Sequence, residues 1–171
     1  AGPIGLGVVA AAAAKGVRVI IAEPSESRGK VAMELGAELV LDPTKPDFVA
    51  AAVDATNGGA TVVFEASGRP EAMATTLEVA GFQARLVNIG IDVGRSAEAK
   101  LGLIQSKELQ VRGIIGSPGV WPETIRFLAR TGLDLSKLVT STFELSDAPA
   151  AYDAVMNDKT QIKVHVTSNA S

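Results

Sequence analysis

Short apolar runs alternate along the chain with longer stretches of helical period, and this alternation predicts repeated β-α units. Residues 17–22, 38–41, 61–66, 85–89 and 109–115 read as strands. Most are rich in Val, Ile and Leu without clean polar alternation, the pattern of strands buried on both faces of a parallel sheet. Between them lie helices with legible ends. The first follows Gly2 and Pro3 and closes at Gly16, and its run of alanines over 10–14 supplies a small-residue face for close packing on a sheet. A second opens near Ser25, a favourable N-cap, and stops at Gly36. Helical stretches over 46–56, 70–79 and 122–130 each carry proline near the first turn. After Leu133 the pattern changes to a strand over 138–145, a short helix opening at Ser146 and a last strand over 162–167, a departure from the main sheet. No internal repeat or low-complexity linker divides the chain.

Composition narrows the chemistry. The 171 residues carry 16 Lys+Arg against 19 Asp+Glu, a net charge of −3, which argues against a strongly basic nucleic-acid binder. With 47% hydrophobic and 20% charged residues the chain has the apolar material for a sizeable core. It has no cysteine and one histidine, His165, so these residues assemble no disulfide, thiol nucleophile or Cys/His zinc cage. The longest apolar stretch, 4–14, is interrupted by Gly5 and Gly7 and falls well short of the roughly 20 residues that span a bilayer. No basic residues precede it as in a secretory signal. The expectation is a cytoplasmic protein with no membrane and no nucleic-acid partner.

The chain opens Ala1-Gly2-Pro3-Ile4-Gly5-Leu6-Gly7. A glycine turn entering a helix offers free N–H groups and the positive end of the helix dipole to a phosphate. At the end of the next predicted strand stands Glu23, placed to accept hydrogen bonds from the ribose hydroxyls of a dinucleotide. A 2′-phosphate there would meet like charge, so Glu23 favours NAD over NADP. Arg28, five residues on, suits cation–π contact with an adenine, or partial rescue of a 2′-phosphate. The same residues also fit plainer roles: a tight turn with close helix packing, a solvated strand end, and a surface helix cation.

Ala1-Gly2-Pro3-Ile4-Gly5, Glu23-Pro24-Ser25 with Arg28, Glu34-Leu35-Gly36-Ala37, Phe64-Glu65-Ala66-Ser67-Gly68, Ile89-Gly90-Ile91 and Lys107-Glu108-Leu109 together resemble the medium-chain, zinc-dependent alcohol and polyol dehydrogenases. Within them the sequence is most similar to the sorbitol, butanediol and threonine dehydrogenase branch. The resemblance covers nearly the whole chain. It implies an α/β fold with a doubly wound, Rossmann-like parallel sheet, residues 1–135 forming the dinucleotide-binding domain and 136–171 a return segment that packs on a catalytic domain. It implies NAD as cofactor and an alcohol or polyol as substrate. Gly2, Pro3, Ile4 and Gly5 would face the dinucleotide and its pyrophosphate, Glu23 the adenosine ribose and Arg28 the adenine. Ser67, Gly68, Ile89, Gly90 and Ile91 would line the adenosine and nicotinamide sides of the cleft, Ile114, Ile115 and Gly116 the nicotinamide carboxamide. Lys163 would lie near the pyrophosphate, and the bare reading of Lys163 is a strand-edge lysine.

Two departures accompany the resemblance. The family's turn reads Gly-Ala-Gly-Pro-Ile-Gly, whereas this sequence begins at the alanine, so the first glycine and the strand before it, central in the family's sheet, are missing. A sheet without its first strand exposes unpaired inner edges, and the expectation is a fragment of a longer polypeptide. The family's zinc ligands and proton relay also belong to a preceding domain, so no catalytic or metal residue is expected here and the isolated chain should not turn over substrate. His165 reads as a packing or surface residue, and Glu65 as a hydrogen-bonded strand-end group rather than a general base. Three other readings stand beside this one: a non-catalytic dinucleotide-sensing module, a zinc-free medium-chain reductase and, last, a methyltransferase. The resemblance further implies a homo-oligomer, paired through the apolar Ile114, Ile115, Val120 and Trp121, unless Trp121 packs beneath its own helix.

Overall fold

The computed structural model describes residues 1–168. Seven helices and seven strands alternate among these residues: α1 (Pro3–Ala13), β1 (Ile20–Ala22), α2 (Glu26–Glu34), β2 (Leu39–Leu41), α3 (Phe48–Ala55), β3 (Ala60–Glu65), α4 (Pro70–Val79), β4 (Ala80–Asn88), α5 (Gly102–Ser106), β5 (Gln110–Gly113), α6 (Trp121–Thr131), β6 (Val139–Glu144), α7 (Ala148–Asn157) and β7 (Lys163–Thr167). The chain forms two compact units, residues 1–40 with 123–171 and residues 41–122.

In the first unit, α1 buries Leu6, Val9 and Ala10, an i, i+3, i+4 stripe, in a core with Ala32, Leu35, Ala37, Leu138 and Ile162. Ala32 and Leu35 lie on or just past α2, whose N-cap Ser25 accepts from Arg28 N through its hydroxyl. Strand β1 pairs with β2, and β6 pairs parallel with β7 through α7, a β-α-β unit with Val139 opposite Lys163 and Thr142 opposite His165. In the second unit β3, β4 and β5 form a parallel three-stranded sheet in that order. Leu77 of α4 packs there on Ala84 and Leu86 of β4 and on Leu109.

Several helices end in the same way. Gly16 N donates to Ala13 O and Val17 N to Ala12 O; Gly36 N donates to Met33 O and Ala37 N to Ala32 O. This double bond around a left-handed residue ties off the last carbonyls. Gly36 has φ +101, and a Cβ on it would stand 2.6 Å from the Ala13 Cβ, so glycine there meets both a backbone and a packing requirement. After α5 the same closure, Glu108 N to Gln105 O and Leu109 N to Ile104 O, is made with Glu108 at φ 51. Helix α4 ends otherwise: the Lys107 ammonium donates to the carbonyls of Leu77, Glu78 and Ala80 at 3.1, 2.9 and 2.7 Å, a cation at the negative end of a helix.

The observed elements correct the sequence expectations at several points. β1 begins at Ile20, not Val17, because the Val17 amide is used in closing α1. β4 starts at Ala80: its pairing with β3 jumps from Ala60↔Ala80 to Val62↔Arg85, a bulge in which Gln83 is left-handed at φ 56. α5 is a five-residue turn without a side-chain cap, which no pattern announced. α7 begins at Ala148 after a 3-10 turn over Leu145–Asp147 and runs for ten residues. The strands hydrogen-bond in three separate sheets, in keeping with the expected unpaired inner edges.

Gly36→Ala should lower stability by at least roughly 1–2 kcal/mol, from left-handed strain alone. Glu108→Gly, which relieves the same strain and gives up only the exposed bond to Gln83, should raise it by up to about 1 kcal/mol. Parallel denaturant titrations check both signs, and a loss with Glu108→Gly would show that the Gln83 contact outweighs the backbone term.

Candidate functional site

In the first unit the candidate residues gather at the start of α1. Gly2 is the N-cap, extended at φ −76 and ψ 177, and Pro3 fills the first turn, where a missing N–H is harmless. The first intrahelical bond runs from Leu6 N to Gly2 O at 2.9 Å, so the amides ahead of it have no carbonyl behind them. No atom lies within 4 Å of where a Gly2 Cβ would stand. The glycine is therefore not demanded by crowding within the chain, and the bare backbone leaves room for an outside group.

Glu23 follows β1 and is only 8% exposed. Its Oε1 accepts Ser25 N at 2.8 Å, and its Oε2 faces the main-chain nitrogen of Ala1. The carboxylate is thereby aimed at the glycine turn, with capacity for further donors, since a carboxylate has about four acceptor sites. Open backbone at Gly2, free first-turn amides and a buried acceptor beside them are the donor set that fits a pyrophosphate and ribose.

Arg28 sits in the first turn of α2, half-buried, and its Nη2 donates to Gln161 O at 2.6 Å while its Nε is buried without a partner. Gln161 is itself held: its Oε1 accepts from the Thr140 and Ser141 hydroxyls at 2.7 and 2.9 Å, and its Nε2 donates to Asp158 at 3.0 Å. The Thr160 hydroxyl, then the Gln161 amide and the Thr160 N–H, hold the Asp158 carboxyl below its ordinary range. This tether was not legible in the sequence, because nothing in the Asp158-Lys159-Thr160-Gln161 turn points to a partner so distant. Lys163 is exposed as the first residue of β7, and His165 is exposed on the same strand.

In the second unit the candidates stand at the carboxyl ends of three neighbouring parallel strands, the place where open α/β sheets bind ligands. Glu65, the last residue of β3, is 4% exposed. Its Oε1 accepts Ser67 N at 2.7 Å and Ser67 Oγ at 2.5 Å, and Gly68 N donates to Oε1 and Oε2 at 3.2 and 3.1 Å. Its main-chain carbonyl accepts Ile89 N at 2.8 Å and Gly90 N at 3.1 Å from the turn after β4. Glu65 is thus the hydrogen-bonded strand-end group that the sequence suggested. A Cβ on Gly68 would stand 2.9 Å from Ile91 N, and one on Gly90 would stand 2.6 Å from Glu65 Oε2 and press into the Gly68 main chain. Ser67, Gly68, Ile89, Gly90 and Ile91 therefore come together. Ile114 joins them at the neighbouring strand end, its N donating to Asn88 O at 3.0 Å, with Ile115 and Gly116 following, exposed. Trp121 is 64% exposed and is not packed beneath its helix.

Among the described residues no group of three or more His, Cys, Asp or Glu side chains is placed to hold a metal ion, so these residues do not fit a zinc site. Nor is any described helix long and apolar enough to cross a membrane.

Comparison with known proteins agrees with this geometry. The zinc-binding dehydrogenase family model matches residues 3–130. The chain is 37% identical over 95% of its length to the scyllo-inosose 3-dehydrogenase of Thermotoga maritima, covering 43% of that protein. It is 34% identical over 98% of its length to the (R,R)-butanediol dehydrogenase of Bacillus subtilis, covering 49% of it. The crystal structure of 2R,3R-butanediol dehydrogenase from Bacillus subtilis matches 98% of the chain and 49% of its own with a TM-score of 0.86 at 32% identity. The chain spans less than half the length of these relatives and shares their Rossmann-like α/β fold with parallel strands. On a family match over most of its length and an identity above 30% across nearly all of it, this chain belongs to the zinc-binding dehydrogenase family.

Proposed function

We propose that this chain is the coenzyme-holding portion of an NAD-dependent dehydrogenase that oxidises a secondary alcohol or polyol. The observation that carries the reading is the buried Glu23 carboxylate turned toward the glycine turn at the head of α1. Gly2, Ile4 and Gly5 would donate main-chain N–H groups to the pyrophosphate, with the dipole of α1 behind them. Glu23 would accept from the adenosine ribose, and Arg28 would flank the base. The turns holding Ser67, Gly68 and Ile89–Ile91, with Ile114, Ile115 and Gly116, would line the rest of the coenzyme, and Lys163 would lie toward the pyrophosphate. Bound there, NAD supplies the hydride acceptor. The chain's own contribution is orientation and the exclusion of water from the reacting face.

Residues 1–135 form the coenzyme-binding part on this reading, and residues 136–171 return to pack on a catalytic part outside the chain, which carries the zinc. Names of relatives support the substrate class, since scyllo-inosose and butanediol are polyhydroxylated or vicinal alcohol chemistry. The protein is taken to be cytoplasmic. The exposed edge strand β5 and the flanking Ile114, Ile115, Val120 and Trp121, 44%, 81%, 47% and 64% exposed, suit pairing with a second copy.

Calorimetric titration should show NAD binding at least about tenfold more tightly than NADP, and Glu23→Ala should weaken NAD roughly ten- to a hundredfold while narrowing that gap. Equal affinity for both coenzymes in the unaltered chain would remove the role given to Glu23. The 171-residue chain supplied with zinc, NAD and a panel of polyols should form no NADH, and any zinc-dependent rate would contradict the division of labour. Light scattering should find a dimer that Ile115→Glu dissociates; a monomer at all concentrations would dismiss the β5 edge as an interface.

A further inference from the structure

The coenzyme reading uses Ser67, Gly68, Ile89, Gly90 and Ile91 but leaves out the residue on which they hang. Glu65 accepts hydrogen bonds from both turns, Ser67 N, Ser67 Oγ and Gly68 N through its carboxylate and Ile89 N and Gly90 N through its carbonyl. All of these donors are neutral. A buried carboxylate needs such donors to offset its lost hydration, and bonds to a charged acceptor are about twice as strong as neutral ones. The turns in return lose their freedom: Gly68 is held at φ +74, and its main chain lies against Gly90 with no space for a side chain between them.

We infer that Glu65 is a positioning residue for the coenzyme, its buried negative charge clasping the turn after β3 against the turn after β4 so that both backbones are set before the dinucleotide arrives. It touches no reacting atom, and the inference rests on the coenzyme reading. What it adds is that the charge of Glu65, not its bulk, governs affinity. An uncharged side chain of equal size presents an amide nitrogen, itself a donor, at one of the two oxygen positions and can only partly satisfy the Gly68 amide. A shorter carboxylate keeps the charge and the bond to the amide two residues on, the ordinary turn made by aspartate.

The test is titration of NAD and of adenosine diphosphate into the unaltered chain, Glu65→Asp and Glu65→Gln, with amide hydrogen exchange followed on the same proteins at a temperature where all are folded. Glu65→Asp should stay within about threefold of the unaltered affinity and Glu65→Gln should fall about tenfold. Faster exchange should be confined to Ser67, Gly68 and the neighbouring turn at 89–91. This order distinguishes a charge that positions from a side chain that fills space, for which glutamine would be the better substitute. Glu65→Gln binding as tightly as the unaltered chain, or more tightly than Glu65→Asp, overturns the inference while leaving the coenzyme reading intact. An unaltered chain that binds neither NAD nor adenosine diphosphate overturns the coenzyme reading and the positioning role with it, whatever the exchange shows. If Glu65→Gln fails to fold, Ser67→Ala, which removes one hydroxyl donor from the clasp, takes its place. It should weaken NAD two- to fivefold, and an unchanged affinity counts against the clasp.

Discussion

A carboxylate that leaves water at the end of a strand must find hydrogen-bond donors, and the nearest are the amides of the turn that follows. Glu23 and Glu65 occupy this position at β1 and β3, and each is answered by the N–H of a serine two residues on, Ser25 at 2.8 Å and Ser67 at 2.7 Å. The chain is bent into its turn by the charge it buries. The two sites then diverge in what they leave over. Ser67 spends its hydroxyl on Glu65 itself, and Gly68 N completes that carboxylate from a second position. Ser25 instead turns its hydroxyl to the first turn of α2, leaving Glu23 directed outward from its own turn toward the head of α1. One local device thus yields a clasp in the second unit and an acceptor suited to a ligand in the first.

The strand ends and helix starts are where this chain concentrates its polar atoms, and the apolar alternation forces that outcome. Strand β4 buries Ala84 and Leu86 and is bonded on both sides by β3 and β5, so its backbone groups are consumed within the sheet, whereas β5 is exposed along its length and not buried on both faces as its apolar run suggests. Only beyond the last ladder bond are amides free to meet something else. Glycine at 68 and 90 lets two such turns approach at main-chain distance, where any side chain would stand inside the neighbouring backbone. The fold brings the turns to one edge, and the missing Cβ atoms let them close.

Legibility in the sequence followed the range of the interaction. The helix over 70–79 was read to the residue because Pro70 marks its first turn, and Gly16 and Gly36 marked the close of α1 and α2 through their left-handed freedom. Glu65 was legible as a polar residue at the end of an apolar strand. By contrast, the early start of β4 depends on Gln83 accepting a conformation that glutamine rarely adopts, and α5 is too short to show a period. The division of the strands into three sheets is a long-range outcome that no local run announces. Arg28 shows the limit most clearly: its place on a helix was evident, while its partner lies 133 residues away in sequence.

That partner bears on coenzyme choice. An arginine close after the acidic strand end is, from sequence alone, an ambiguous feature, since a free guanidinium there would offset the repulsion between Glu23 and a 2′-phosphate. The Arg28 guanidinium is not free: Nη2 donates to Gln161 O at 2.6 Å, and Gln161 is fixed in turn by Thr140, Ser141 and Asp158. Turning toward a phosphate would forfeit a charge-assisted bond worth roughly 1.5–3 kcal/mol. The new contact would have to recover that loss before contributing any preference for NADP. With one arm of the cation tied to the return segment, the proposed preference for a coenzyme without the extra phosphate would draw on this tether as well as on the Glu23 carboxylate.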